Sequence, residues 1–412
     1  MPEAILTLNA GSSSIKFGLY TSESGNLAIR VKGEVEDVGD DLRMTAKDGY
    51  GARLADEDWS GEAGSTDALF RRLLDWIEAH LGDDHLVAVG HRIVHGGRDF
   101  QDSIRLTVDI VSALKGLTPL APLHQPRSLA PIEAILELRP DLPQVGCFDT
   151  AFHRTIVPPA SRYAIPSALE DEGIRRYGFH GLSYAHVASR LPDMLPGRRK
   201  VVVAHLGNGA SLCAMRDGRS VDTTMGFSAL DGLVMGTRPG LLDPGVLLFL
   251  MKEHGMSHDD LEDLLYRRSG MLGVSGLSAD IRVLSSSDDP RAREAIDLFA
   301  FRVARETAAM ANTLEGLDSI VFTGGIGENS PLVRRLVCER LVWLGVAIDP
   351  AANERGSGII TTDGSKVTAV AIAADEEIVI AEDARRLCGG TCIPAEASSR
   401  KMLSRISLKV RK

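Results

Sequence analysis

Three loops of similar build constrain the fold of this chain most strongly. Each follows a run of apolar, partly β-branched residues and contains glycine with small polar residues: Ile5–Ser14 (ILTLNAGSSS), Val201–Ser211 (VVVAHLGNGAS) and Val321–Ser330 (VFTGGIGENS). Glycine after a strand lets backbone N–H groups turn toward one point, because no Cβ stands in the way. One such loop is usually an ordinary turn. The chain has three of them and no Gly-x-x-x-x-Gly-Lys-Ser/Thr motif. This pattern predicts a nucleotide that is bound by several loops rather than by a P-loop.

Size and charge exclude several classes of protein. A chain of 412 residues exceeds what one core usually supports, so we expect two domains. A net charge of −10 argues against nucleic acid or an anionic membrane as partner. No apolar run approaches the ~18 residues of a membrane span, and the first residues do not resemble a signal peptide. The five cysteines are scattered and predict structural thiols. We therefore expect a cytoplasmic enzyme.

The order of predicted elements indicates a duplicated α/β architecture. The first residues predict a strand, a tight turn and a second strand, and a similar opening recurs about 200 residues later at Val201. Between them, a Gly/Asp-rich surface loop is predicted near residues 48–64, followed by an amphipathic helix whose apolar face includes Phe70, Leu73 and Ile77. Each opening starts a half of similar size.

The expected domains follow from this repeat. An N-terminal domain covers residues 1–152 and is completed by a C-terminal helix at about 378–390. The second, nucleotide-binding domain covers residues 153–377. Residues 391–412 form a basic tail that we expect to be disordered.

Polar and charged side chains cluster in Gly/Pro-punctuated loops between the apolar strands, where α/β proteins bind ligands. Each alone has an ordinary structural interpretation, as a surface turn residue, a core histidine or a solvated acid. The candidates are Asn9 and Lys16 at the first glycine loop, Arg92 in HRIVHGG (91–97), His124 in APLHQP (121–126), Asp149 in CFDTAFH (147–153), His180 in YGFHGLS (177–183), Arg238 in MGTRPG (235–240), Asp280 and Arg282 in LSADIR (277–282), and Glu376 in ADEE (374–377).

Together these motifs closely resemble the acetokinase family of acetate, propionate and butyrate kinases, over about nine-tenths of the chain. The resemblance implies the duplicated two-domain fold of actin and the sugar kinases, built from ribonuclease H-like domains with nucleotide in the interdomain cleft. It implies reversible phosphoryl transfer from ATP to acetate, giving acetyl phosphate and ADP. It also implies Mg²⁺, with Mn²⁺ as a substitute, and a homodimer.

The family pattern implies a role for each matching residue. It makes Asp149, His180 and Arg238 catalytic, and Asn9 and Glu376 metal-site residues. The implied substrate-binding residues are Arg92, Val94, Leu123, His124, Phe179 and Ala229. The implied ATP-binding residues are Ser12, Lys16, His205, Leu206, Gly207, Asn208, Gly209, Asp280, Ile281, Arg282, Gly325, Ile326, Gly327, Glu328 and Asn329.

The residue types also fit this chemistry independently of the resemblance. A carboxylic acid with a pKa near ~4–5 is ionised at neutral pH, so the nucleophile needs no general base. The barrier is instead the approach of two anions, which calls for arginines, a histidine and Mg²⁺. Asp149 is therefore better suited to organising the metal, its water or an arginine than to accepting a proton.

Departures from the family pattern leave alternatives open. Ala229 stands where the family has proline, which predicts a slightly wider acyl pocket, and Gln125, Arg127 and Asp375 also differ from the usual residues. A propionate-preferring kinase is the nearest rival, although Val94 argues against it. A non-metabolic ATPase, resembling a chaperone switch or an actin-like filament protein, is the alternative from another class.

Overall fold

A computed structural model describes residues 3–11, 14–23, 26–38, 41–62 and 66–388 of the chain. Ser12, which the resemblance assigns to ATP, lies outside the described residues. So do the basic tail 391–412 and the last two residues of the helix expected at about 378–390.

The described residues form strands and helices in mixed order. The strands are β1 Glu3–Ala10, β2 Ser14–Glu23, β3 Asn26–Val38, β4 Asp41–Asp48, β5 Arg53–Asp58, β6 His85–Ile93, β7 Ile104–Arg105, β8 Gln144–Phe148, β9 Lys200–Leu206, β10 Ala210–Arg216, β11 Arg219–Thr223, β12 Ser319–Thr323, β13 Gly358–Ile359 and β14 Thr368–Ala371. The helices are α1 Thr66–Ala79, α2 Val108–Lys115, α3 Gln125–Leu138, α4 Ser167–Asp171, α5 Gly181–Met194, α6 Pro244–Glu253, α7 His258–Arg267, α8 Gly270–Ser275, α9 Ile281–Ser285, α10 Pro290–Leu314, α11 Gly324–Asn329, α12 Pro331–Glu339, α13 Pro350–Arg355 and α14 Glu376–Cys388.

The strands form two sheets with a repeated topology. The first sheet has the order β5-β4-β3-β2-β1-β6-β8-β7, and the second has the order β11-β10-β9-β12-β14-β13. In each, the opening strand (β1 or β9) pairs antiparallel with the next strand and parallel with a later one (β6 or β12). A second parallel strand and a short antiparallel strand follow, β8 and β7 in one sheet and β14 and β13 in the other. The predicted duplicated α/β fold is confirmed.

The chain divides into two compact units, each built on one sheet. Within the described residues, the first unit comprises the chain up to Ala151 and the segment from Asp375 onward, and the second comprises Phe152–Ala374. Helix α14 thus belongs to the first unit, where it packs on β6. A Cβ on Gly90 of β6 would lie only 2.4 Å from Ile380 Cγ2 of α14. Glycine at this position therefore permits the close approach of the helix that carries Glu376.

The surface loop predicted near residues 48–64 is wrong in part, because Arg53–Asp58 forms β5 and pairs antiparallel with β4. Ala55 and the following Trp59 are buried in the core beneath the first sheet. The acids that suggested a loop instead pair across strands, since Asp56 accepts from the Arg43 guanidinium. None of the helices in the described ranges combines the length and the apolar character that a membrane span requires.

Candidate active site

The carboxyl ends of three neighbouring strands bring one polar cluster together in the first unit. Asn9 lies near the end of β1, Arg92 near the end of β6, and Asp149 directly after β8. The Arg92 guanidinium donates to both Asp149 oxygens, at 2.6 Å from Nη2 to Oδ2 and 3.0 Å from Nε to Oδ1. Its Nη1 donates to Asn9 Oδ1 at 3.0 Å. Glu376, at the start of α14, lies beside this cluster, with Oε2 3.9 Å from Arg92 Nε.

Burial sets the electrostatics of the cluster. It raises the pKa of Glu376 to about 7, even though Arg92 acts in the opposite direction. Burial also disfavours the charged guanidinium, but Asp149 and Glu376 more than offset it and raise the pKa of Arg92 above its usual value. The cluster therefore presents several oxygen atoms that can serve as metal ligands. Arg92 does not fully neutralise the carboxylates of Asp149 and Glu376. Mg²⁺ takes oxygen ligands and commonly binds through one or two carboxylates plus substrate phosphates, so Asn9 and Glu376 fit such an ion.

A second cluster forms in the second unit around the turn between β9 and β10. Its backbone closes through a hydrogen bond from Gly207 N–H to the Gly209 carbonyl at 3.0 Å. A Cβ on Gly209 would lie 2.8 Å from Arg238 Nη2 and 3.2 Å from His180 Nε2. Arg238 is anchored by donation from Nη1 to the Ala229 carbonyl at 2.7 Å. Glycine thus lets the backbone, a guanidinium and an imidazole approach one point.

His180 has an unusual backbone conformation for its residue type. Its φ of 59° lies in the left-handed region, and it precedes the first residue of α5. The ring stacks on His205, with centroids 4.3 Å apart and an interplanar angle of 23°. A non-glycine residue in this region usually costs energy, so the surrounding contacts must hold it there. This local geometry places the imidazole beside the β9–β10 turn.

A cavity of about 690 Å³ in the second unit joins the loops that the sequence assigns to ATP. This size is within the range of small-molecule sites. No atom lies within 4 Å of the position that a Cβ on Gly325 would take, so the third glycine loop faces open space. The lining residues are Gly207, Asn208, Ala279, Asp280, Ile281, Arg282, Ser285, Gly325, Ile326, Asn329, Ser330, Pro331 and Leu332.

Other predicted ATP residues lie behind these loops or in the first unit. Leu206 is fully buried. The Gly327 and Glu328 carbonyls accept from Arg334, and the Glu328 carboxylate accepts from the Ala374 N–H at 2.7 Å. Lys16 on β2 pairs in register with Asn9.

The predicted acyl-pocket residues are divided between the units. Val94, Leu123 and His124 belong to the first unit, and Phe179 and Ala229 to the second. Val94 and Phe179 are both buried. The carbonyl of Phe179 accepts from His153 Nε2 at 2.9 Å, which fixes the backbone next to His180.

Two of the four departures from the family pattern, Gln125 and Asp375, form hydrogen bonds that support the local backbone. The buried Gln125 side chain accepts from His95 N–H and donates to the His95 and Leu114 carbonyls. Asp375 Oδ1 accepts from the Ile378 N–H at 3.1 Å and so caps the first turn of α14. Arg127 is exposed in the first turn of α3.

The structure also shows a supporting residue that the sequence did not indicate. The Arg334 side chain is completely buried and donates to two carbonyls of the third glycine loop and to Asn353. In the sequence it is one of two adjacent arginines in an amphipathic helix, a pattern that usually means exposure.

Comparison with known proteins accounts for the combination of fold and site. The model of the acetokinase family matches residues 4–382. This chain belongs to the acetokinase family. It is 48% identical to an acetate kinase of Rhodopseudomonas palustris over 397 residues, 95% of this chain and 100% of the relative. It is 44% identical to an acetate kinase of Rhizobium meliloti, covering 92% of this chain and 97% of that one.

Solved acetokinase structures have the same fold. A propionate kinase from Francisella tularensis superposes with a TM-score of 0.86 at 37% identity, covering 93% of this chain and 100% of that chain. An acetate kinase from Porphyromonas gingivalis gives a TM-score of 0.81 at 35% identity, with 93% and 99% of the two chains covered. The membership suggested by the sequence motifs is confirmed.

The close approach at Gly209 generates a prediction. Gly209→Ala should leave the fold intact, because the new methyl group meets only the ends of two side chains and Gly209 does not have a positive φ. It should displace Arg238 and His180 and lower kcat by about 10²-fold, since small misplacements at a reacting centre have effects of this size. Steady-state kinetics and thermal unfolding measure the two effects.

Gly364→Ala is the matched control, because a Cβ there meets no atom within 4 Å. If Gly209→Ala kept the activity of the control variant, the close approach at Gly209 would not matter for the reaction.

Proposed function

We propose that this chain catalyses reversible, Mg²⁺-dependent transfer of the γ-phosphoryl group of ATP to acetate, giving acetyl phosphate and ADP. The observation that carries the proposal is the pair of arginine-centred polar clusters at strand ends, one around Arg92 and one around Arg238, within a chain of the acetokinase family. The relatives named acetate kinase at up to 48% identity support acetate as the substrate.

The carboxylate is assigned to Arg92. Its guanidinium is held by Asp149 on two sides and by Asn9 on a third, so it is oriented before any substrate arrives. An oriented guanidinium suits a carboxylate, because its planar fork matches two oxygens. Asp149 accepts hydrogen bonds from Arg92 at both oxygens, which supports its role as the residue that orients the arginine rather than as a base.

The nucleotide is assigned to the cavity lined by Asp280–Arg282, Gly325, Ile326 and Asn329, with its phosphates at the Gly207–Gly209 turn. Asn9 and Glu376 would hold Mg²⁺, which lowers the charge on the phosphates when it is bound. His180 and Arg238 would donate to the transferring phosphoryl group. Their contact with the Gly209 backbone supports this assignment, because such donors must be fixed before charge develops.

Substitution of the two arginines tests these assignments. Arg238→Ala should lower kcat by ~10³-fold, the scale of an arginine that stabilises a transferring phosphoryl group. Arg92→Ala should also raise the KM for acetate, because it removes the group that binds the carboxylate. A coupled assay of ADP, together with hydroxamate detection of the acyl phosphate, measures both effects.

Two further variants keep this test decisive. Arg92→Lys retains the charge that neutralises Asp149 and Glu376, so it folds even if Arg92→Ala does not, and it should still raise the KM for acetate. Arg267→Ala is the control, since its partner is the exposed Asp263 on the same helix. Wild-type kcat/KM in Arg238→Ala or Arg92→Lys would show that the role assigned to that arginine is wrong. ATP consumption that does not depend on acetate would favour the ATPase-switch alternative.

Acyl selectivity should be modest. One methylene in an apolar pocket is worth ~1–3 kcal/mol, and Ala229 in place of proline widens the pocket wall. We expect acetate to be preferred over propionate by about tenfold in kcat/KM. Ala229→Pro keeps the carbonyl that anchors Arg238 and should widen the preference. Val94→Ala should narrow or reverse it. Propionate preferred by the wild-type enzyme would contradict this pocket assignment and favour the propionate-kinase alternative.

We also propose a homodimer, with α6 at the contact between subunits. No residue of this helix is buried, although it carries a run of large apolar side chains, of which Leu248 is 67% and Phe249 55% exposed. Val246 and Met251 add to the same exposed apolar surface. Contiguous apolar surface of this kind marks a protein interface, and a second copy can bury it with twofold symmetry.

Charge introduced into α6 tests the dimer. Leu248→Glu should convert the dimer to a monomer, because the carboxylate cannot be buried unpaired. Light scattering coupled to size-exclusion chromatography measures the mass. Val108→Glu is the control, since Val108 is 72% exposed on α2 of the other unit. A monomeric wild-type protein would contradict the proposed homodimer. A dimeric Leu248→Glu variant would contradict the assignment of α6 to the contact between subunits.

The cytoplasm is the proposed location. The four cysteines in the described residues are free thiols, and three of them are buried. Unpaired structural thiols are typical of a reducing compartment.

A further inference from the structure

Behind His180 lies a row of two polar side chains, Ser211 and Tyr184, that the proposed reaction does not use directly. His180 Nδ1 is 2.8 Å from Ser211 Oγ, and Ser211 Oγ is 2.5 Å from the Tyr184 hydroxyl oxygen. Ser211 lies on β10 and Tyr184 on α5, and both are completely buried.

The direction of each hydrogen bond in this row follows from counting hydrogens. The Tyr184 hydroxyl is completely buried, so its hydrogen needs an acceptor, and within the described part of the chain this hydroxyl lies 2.5 Å from Ser211 Oγ. Burial raises the pKa of Tyr184, so this hydrogen is retained at neutral pH. The single hydrogen of Ser211 then points to His180 Nδ1.

The reverse direction is unfavourable. A proton on His180 Nδ1 would donate to Ser211. If Ser211 then donated to Tyr184, the Tyr184 hydrogen would have no acceptor in the row. If Ser211 accepted from both neighbours, its own hydrogen would have none, and buried polar groups are rarely left unpaired. The row therefore has one arrangement in which every hydrogen is used.

We propose that Tyr184 and Ser211 are positioning residues that fix His180 as the neutral tautomer with its proton on Nε2. Nε2 is the ring nitrogen on the side of Gly209 and Arg238, 3.2 Å from where a Cβ on Gly209 would be. The tautomer thus presents an N–H, rather than a lone pair, to the place where the proposed function puts the transferring phosphoryl group. A lone pair there would repel the phosphoryl oxygens.

The role given to the Nε2 proton rests on the proposed phosphoryl transfer. The protonation state of His180 itself can be measured whether or not the protein has that activity. With histidine selectively labelled with ¹⁵N, the His180 signal is identified by its loss in His180→Gln. At neutral pH, we expect His180 Nε2 to carry a directly bonded hydrogen and His180 Nδ1 to be unprotonated. A proton on Nδ1, alone or in exchange with Nε2, would overturn the proposal. The spectrum is informative even if the protein lacked the proposed activity.

Variants separate positioning from mere packing. In Tyr184→Phe, Ser211 loses the donor that makes donation to His180 the favoured direction, so a proton on Nδ1 no longer leaves a hydrogen of the row unpaired. The Nδ1 signal should therefore shift toward that of a protonated nitrogen. An unchanged Nδ1 signal would remove Tyr184 from the proposal. Ser211→Ala should lower kcat about tenfold or more, the usual effect of losing such a supporting partner. The KM values for ATP and acetate should stay within about twofold, since Ser211 is completely buried.

Thr307→Val is the control for Ser211→Ala. It removes another fully buried hydroxyl from the same unit, one that donates to the Val303 carbonyl within α10. It should destabilise the protein without lowering kcat. Equal losses of kcat in the two variants would show that Ser211 acts only through stability.

Discussion

The site in the first unit depends on the hydrogen bonds between Arg92 and Asp149. Both groups are charged and removed from most solvent, and neither is tolerable there without the other, because an unpaired buried charge costs ~3–5 kcal/mol. The pairing also sets the orientation of the guanidinium, since Asp149 and Asn9 occupy three of its nitrogens. The parallel strands β1, β6 and β8 bring these residues to one edge of the sheet.

Glu376 adds a second constraint to this cluster. It reaches the cluster from α14, far along the chain, because Gly90 lets that helix lie against β6. The positive charge of Arg92 lowers the pKa of the Glu376 carboxylate, but burial has the larger effect and raises this pKa to about 7. A divalent cation held by Asn9 and Glu376, as proposed above, would offset negative charge in this cluster.

Much of the fold and part of the site could be predicted from local patterns. Glycine loops after apolar runs mark strand ends, and parallel strands collect such ends at one edge, so Asn9, Arg92 and Asp149 were expected near one another. The family motifs named Gly209 and Arg238 separately. Their contact could not be predicted, because it joins segments 29 positions apart in sequence through a turn of irregular backbone.

The supporting residues were missed for a different reason. Arg334, Ser211 and Tyr184 sit in regular helices and strands whose patterns predict ordinary exposed or core positions. Their roles come from which tertiary neighbour they meet. Strand β5 was missed because its acidic residues suggest a loop, whereas Asp56 pairs with the Arg43 guanidinium across strands. Sequence composition cannot distinguish a paired acid from a solvated one.

The central claim is that positioned cations and hydrogen-bond donors carry the reaction, and that no group of the protein removes a proton from the substrate. Asp149 is committed to Arg92, and the carboxylate nucleophile is already ionised. The most direct test is the solvent deuterium isotope effect on phosphoryl transfer, measured in a single turnover so that product release does not mask the chemical step. The account predicts no isotope effect on transfer. A clear normal isotope effect would show that a proton is transferred during the chemical step, and it would contradict this account.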